Sequence, residues 1–111
     1  MKADIKYSSP SEALSIIKSG DRVFMQGSAM TPVFLVNELA KEASRLRNVE
    51  IVSISVYGDL EIAKPGYEKS FSINSMFVSA SLRQAVAEGR ADYIPVFLSE
   101  IPELFKQNIL P

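Results

Sequence analysis

The chain has 111 residues, with 12 Lys plus Arg against 13 Asp plus Glu, no His and no Cys. That length makes a single domain able to bury roughly 11,600 Å² on folding. With 47% hydrophobic and 23% charged residues, disordered, fibrous and coiled-coil readings of the whole chain are excluded. Without imidazole or thiol there is no His base, Cys nucleophile, disulfide or zinc finger, and no metal site is expected. Chemistry is left to carboxylates, hydroxyls, lysines and backbone. A net charge of -1 gives no broad positive field for nucleic acid or an anionic bilayer, so neither is expected as a partner. The first nine residues carry Lys2, Asp4 and Lys6 with no apolar leader behind them, which predicts a cytoplasmic chain without a membrane span.

The elements alternate between helix and strand periods. Ser9-Pro10-Ser11-Glu12 opens a first helix as a capping box with proline at the first position, Ala13, Ile16 and Ile17 share a face, and Gly20 ends it. Arg22 to Gln26 is a short buried strand. Gly27-Ser28-Ala29-Met30-Thr31-Pro32 turns into a second helix over about 32–47, with Thr31 as cap and Val36, Leu39, Ala40, Ala43 and Leu46 as its apolar stripe. Arg45 and Arg47 fall in its last turn, where cations suit the dipole. Val49 to Val56 is the next strand, so this half is a βαβ unit with a right-handed crossover between parallel strands.

Tyr57 to Ser70, with Gly58, Asp59, Pro65 and Gly66, reads as a long loop of the kind that often carries function. Phe71 to Val78 is a third strand of open orientation. Ser81 to Gln84 forms a second capping box for a helix ended by Gly89. Tyr93 to Leu98 is a fourth strand, which Pro95 confines to an edge or to irregular pairing. Ser99 caps a last helix to about Gln107, with Ile101, Leu104 and Phe105 inward. Phe24, Phe71, Phe77 and Phe97 all fall in strands and are expected in the core. The result is an α/β fold, an open and mostly parallel sheet of about four strands flanked by helices. The apolar Ile109-Leu110-Pro111 end, with nothing to cover it, points to the N-terminal piece of a longer polypeptide.

In open α/β sheets ligands sit beyond the carboxyl ends of the strands. Four segments lie there: Gln26 to Thr31, Tyr57 to Asp59, Ser79 to Ser81, and Ser99-Glu100. The Gly27 loop has the means to present backbone N–H groups to an anion, but it lacks the dinucleotide glycines and the P-loop lysine. Ser99-Glu100 is accounted for as a helix start, Asp59 as a turn former, and Lys64 and Lys69 as solvated cations.

Arg90-Ala91-Asp92-Tyr93-Ile94-Pro95-Val96-Phe97-Leu98-Ser99-Glu100-Ile101-Pro102, preceded by Val86-Ala87-Glu88-Gly89, resembles the N-terminal domain of the acetyl-CoA hydrolase/transferase family. Ser9 to Arg22, Gly27 to Pro32 and Asn48-Val49-Glu50-Ile51 fit the same pattern in the same order. Met30 departs from it by standing where a small residue is usual, and of the basic residues usual before the third strand only Lys69 is present. The resemblance implies CoA transfer between an acyl-CoA and a small carboxylate, through covalent intermediates on a glutamate in the C-terminal half of the polypeptide. It implies coenzyme A as substrate, no permanently bound cofactor, and a homo-oligomer at full length. No catalytic residue is then expected in this chain, and Glu100 is not the nucleophile. Gly27, Ser28, Ala29, Thr31, Ser79 and Glu100 are the residues expected to line the acyl end of a cleft between two α/β halves. An acyl-CoA hydrolase, a small-anion-binding module without chemistry, and an isomerase on a similar sheet are the other readings. The weak Asp59/Glu100 pair argues against the isomerase, and the missing acidic cluster argues against a phosphoacceptor domain.

Overall fold

The computed structural model describes residues 6–108, so the readings of the first five residues and of Ile109-Leu110-Pro111 lie outside the described residues. Its elements run α1 (Pro10–Leu14), β1 (Arg22–Met25), α2 (Val33–Ala40), β2 (Val49–Ser53), a 3-10 turn (Glu61–Ala63), β3 (Phe71–Ser75), α3 (Arg83–Ala87), β4 (Ala91–Tyr93), a second 3-10 turn (Leu98–Glu100) and α4 (Ile101–Lys106). The strands form one sheet in the order β1-β2-β3-β4, and every pairing is parallel, which settles the orientation of the third strand.

Side chains alternate across the sheet. Met25, Val49, Ile51, Phe71 and Ile73 point to the face covered by α2, the first 3-10 turn and α3, whose Val36, Leu39, Ile62, Leu82 and Ala85 complete the main core. Val52 and Met76 point to the other face, where Leu104 of α4 covers them, flanked by Ile54, Ile94, Val96 and Ile101. The connections from β1 through β4 all cross one face, and α4 lies on the opposite one. Toward the amino ends of the strands this second face turns polar: Glu50 pairs with Arg22 at 2.6 Å and accepts from the Asn74 amide at 2.5 Å.

The helices are shorter than the apolar periodicity predicts. In α1 the Glu12 amide donates to Ser9 Oγ at 3.2 Å, as the capping box requires, but regular helix stops at Leu14. Leu14 and Ile17 pack on the core, whereas Ile16 is 78% exposed, because the turn after Leu14 breaks the expected face. After Ala40 the second helix tightens into successive i to i+3 turns, and these still carry Leu46 into full burial. The Arg45 guanidinium donates to the Ile17 and Leu14 carbonyls at 2.7 and 3.3 Å, tying α1 to the end of that segment. Arg47 donates to the carbonyls of Ala43 and Leu46 at 2.8 and 2.7 Å, closing the segment's own end.

Several boundary residues act differently from expectation. Pro32, not Thr31, holds the N-cap position of α2. Leu82 holds that of α3, and Gln84 donates along the helix to Glu88 at 2.9 Å instead of closing a box. Ser99 lies inside a 3-10 turn, and Glu100 takes the N-cap position of α4. The fourth strand lies upstream of Tyr93 to Leu98: Ile94 donates the ladder's last amide to Ser75, and Pro95 has none to give. It does occupy a sheet edge. Of the four strand phenylalanines only Phe71 is core, at 2% exposure. Phe24 is 52%, Phe77 49% and Phe97 75% exposed. Phe24 faces the part of the second face that α4 does not reach, and Phe77 and Phe97 lie past the ends of their strands. The long 57–70 segment is a packed crossover, with Leu60, Ile62 and Ala63 buried.

Candidate functional site at the carboxyl ends of the strands

β1 and β2 continue past their ladder as a narrow pair of loops. Ser28 and Val56 form an isolated parallel bridge, and the Ser28 amide donates to the Ser55 carbonyl at 2.7 Å. The approach is possible because residue 27 is glycine: a Cβ there would lie 2.0 Å from the Ser55 carbonyl oxygen. Ser28 itself sits at φ 53°, a left-handed conformation held by its neighbours.

Thr31 locks this turn to the next one. Its hydroxyl donates to the Ser28 carbonyl at 2.7 Å and accepts the Tyr57 amide at 3.1 Å. Gly58, at φ 97°, presses on Val33, where a Cβ would meet Cγ2 at 2.7 Å, and its carbonyl accepts from the Ser81 hydroxyl at 2.6 Å. The loops after β1, β2 and β3 are thus one connected unit. Of the expected site residues it brings together Gly27, Ser28, Ala29 and Thr31. Ser79 and Glu100 belong to the neighbouring loops, and among the described residues no hydrogen bond ties either to the Gly27 turn.

The turn also settles which groups remain for a ligand. The amides of Ser28, Met30 and Thr31 are committed to Ser55, Gly27 and Ser28 carbonyls, and the Thr31 hydroxyl is used twice. That leaves the amides of Gly27 and Ala29 and the hydroxyl of the exposed Ser28 without a partner among the described residues. Ser79 Oγ is buried without a partner among the described residues. Glu100 edges a depression of about 350 Å³ lined by Tyr93, Pro95, Val96 and Phe97.

An apolar rim was missed in the sequence. Met30, Tyr57, Phe77 and Phe97 follow β1, β2, β3 and β4 respectively, and each is about half exposed or more. The signal was present as large apolar residues just past each strand, hidden by runs that read as uninterrupted core.

Three charged groups of the 57–70 segment, Asp59, Glu61 and Lys64, are occupied with one another. Lys64 binds Glu61 at 2.8 Å and Asp59 at 3.5 Å, and Tyr67 donates to Glu61 at 3.2 Å. The hydrogen bond from Lys64 holds the Glu61 carboxyl below its usual range, and the same bond holds the Lys64 ammonium above its own. Desolvation raises Tyr67. Asn37 fixes the segment by donating to the Asp59 carbonyl at 3.1 Å and accepting the Glu61 amide at 2.9 Å. Lys64 is therefore ion-paired rather than merely solvated. Among the described residues there is no cluster of three metal-ligating side chains, and no helix is long and apolar enough to cross a membrane.

A four-stranded parallel α/β sheet flanked by helices, with its loops interlocked at the strand carboxyl ends, is a fold of the CoA-transferase type. Residues 4–111 match the acetyl-CoA hydrolase/transferase N-terminal domain, and the chain belongs to that family. It is 40% identical over 100 residues to a 4-hydroxybutyrate coenzyme A transferase of Clostridium kluyveri, covering 90% of this chain and 23% of that protein. It is 36% identical over 99 residues to a succinyl-CoA:acetate/propanoyl-CoA:succinate CoA transferase of Fasciola hepatica, covering 87% and 20% respectively. The crystal structure of RipA from Yersinia pestis superposes with a TM-score of 0.78 at 26% identity, over 92% of this chain and 26% of that one. The chain spans under a quarter of the length of these two curated relatives.

Proposed function

We propose that this chain is the N-terminal domain of a CoA-transferase that moves coenzyme A between an acyl-CoA and a small carboxylate. The observation that carries the reading is the 40% identity, over 90% of the chain, to a protein named for that activity. In the reaction an enzyme glutamate beyond this chain attacks the acyl-CoA carbonyl, forming a mixed anhydride and releasing CoA thiolate. The thiolate attacks the glutamyl carbonyl, the donor carboxylate leaves, and the glutamyl-CoA thioester then passes CoA to the acceptor by the reverse steps.

The task of this half is to wall the cleft and position the acyl group. The Gly27 and Ala29 amides and the Ser28 hydroxyl offer donors to a carboxylate or thioester oxygen. The rim of Met30, Tyr57, Phe77 and Phe97 supplies an apolar surface that excludes water from a hydrolysable thioester. Ser79 and Glu100 extend that wall toward β4, and Thr31 holds the turn in shape. The test is an acyl-exchange assay with acetyl-CoA and butyrate. The expected result is that the full-length polypeptide transfers CoA and the 111-residue chain by itself does not. A covalent CoA ester trapped on this chain alone would refute the division of labour, and unchanged turnover in a Ser28→Ala/Thr31→Ala double variant would remove the positioning role of the turn.

A further inference from the structure

The chain carries no Cys, so the thioethers of its four methionines are its only sulfur. Of the three that the structure describes, two are shut inside the cores. Met25 is 5% exposed on the first face of the sheet, and Met76 is 1% exposed beneath α4. Met30 is 69% exposed. That exposure is built into the turn. The Met30 amide donates to the Gly27 carbonyl at 3.1 Å, and beside it the Thr31 amide and hydroxyl both donate to the Ser28 carbonyl, at 3.1 and 2.7 Å. Gly27 is in turn pressed on Ser55. Turning Met30 inward would break these contacts, so its side chain stays in solvent, in the same turn as the unpartnered Gly27 and Ala29 amides.

A thioether is apolar and its sulfoxide is not. When hydrogen peroxide meets an exposed methionine, a sulfur lone pair attacks one peroxide oxygen, and the S–O bond forms as the O–O bond breaks. The sulfur loses two electrons, the proton on the transferred oxygen passes to the departing one, and water leaves. The side chain then carries a strong hydrogen-bond acceptor that is costly to strip of water. Of the rim residues Met30, Tyr57, Phe77 and Phe97, only Met30 has sulfur to oxidise.

We infer, resting on the reading of the Gly27 turn as part of the substrate wall, that Met30 is a peroxide-sensitive modification site whose oxidation wets the apolar rim and lowers CoA transfer. The change is reversible, because methionine sulfoxide reductases return the thioether. Bound acyl-CoA covers Met30 and shields it.

The full-length polypeptide is treated with hydrogen peroxide, quenched with catalase, and divided between peptide mass spectrometry and the acetyl-CoA/butyrate exchange assay. Met30 is expected to gain one oxygen about tenfold faster than Met25 and Met76, and more slowly when acetyl-CoA is present. Exchange is expected to fall about fivefold, with a larger share of acetyl-CoA lost to hydrolysis. Recovery on incubation with the reductases separates this effect from thiol oxidation elsewhere in the longer polypeptide. Met30→Leu, scored against its own untreated rate, is expected to keep that rate after peroxide, which separates Met30 from other methionines. Oxidation of Met30 no faster than that of the buried pair, oxidation that acetyl-CoA does not slow, or equal peroxide losses in the wild type and Met30→Leu would each overturn the inference while leaving the transferase reading intact. Absence of exchange before any treatment would refute that reading and the inference with it.

Discussion

Gly27 and Ser55 approach so closely that a methyl group on Gly27 would sit 2.0 Å from the Ser55 carbonyl oxygen. Nothing in that contact is a flexible side chain, so the backbone itself would have to move. Gly27→Ala is expected to cost about 3 kcal/mol by urea unfolding. It also opens the Ser28–Val56 bridge, which amide exchange at Ser28 would reveal. A Gly27→Ala variant of wild-type stability would show that the two loops are not held as described.

Thr31 ties two loops with one hydroxyl, accepting from Tyr57 and donating to Ser28. Thr31→Val keeps the shape and deletes both bonds, at about 1 kcal/mol. In the full-length protein that loss, if felt at the binding turn, raises KM for acyl-CoA about fivefold, while Thr31→Ser retains the wild-type value. Equal kinetics for the Val and Ser variants would separate the turn from substrate binding.

Ser53 is fully buried and its hydroxyl has no partner among the described residues, whereas Ser75 beside it bonds the Phe77 carbonyl. An unpartnered buried hydroxyl costs free energy relative to a methyl group. Ser53→Ala should therefore raise stability by about 1 kcal/mol, and Ser75→Ala should lower it by a similar amount. Thermal unfolding of the two variants side by side checks the contrast, and a destabilised Ser53→Ala would contradict it.

The Glu61–Lys64 pair gives a pH dependence with a definite sign. The folded Glu61 value is depressed, so its contribution is full above the ordinary 4.5 and is lost as pH falls through the lower folded value. The folded Lys64 value is raised, so its contribution is full below the ordinary 10.5 and is lost as pH rises through the higher folded value. The stability difference between wild type and Lys64→Met should be flat between those limits and shrink outside both. Both groups are solvent-screened, so about 1 M salt should reduce it as well. A difference that grows on acidification would contradict the assignment.

The parallel α/β architecture was readable because β-branched runs and helical apolar stripes have different periods. Val36, Leu39, Ala40 and Leu46 lie buried where that period put them. The glycine turn after β1 was readable too, because few residues other than glycine serve such a turn. Hydroxyls were a different matter. Ser9, Thr31, Ser81 and Ser99 are equivalent in sequence as helix caps, yet only Ser9 caps. Thr31 and Ser81 reach across to carbonyls or amides 23 to 26 positions away, and no local pattern encodes such a partner.

Composition and local spacing alone determined the absence of imidazole and thiol chemistry and the alternation of strands with helical segments, and the stretch from Val86 to Pro102 carried the resemblance to a CoA-transferase half. Those properties depend on which side chains are near each other along the chain. Only the tertiary structure decided that Phe24, Phe77 and Phe97 face outward, that the Gly27 and Tyr57 loops interlock, and that α4 lies on the face opposite the other connections. Exposure and handedness arise from how whole elements stack and in which direction the chain winds, and a run of apolar letters reads the same whether its neighbour covers it or not.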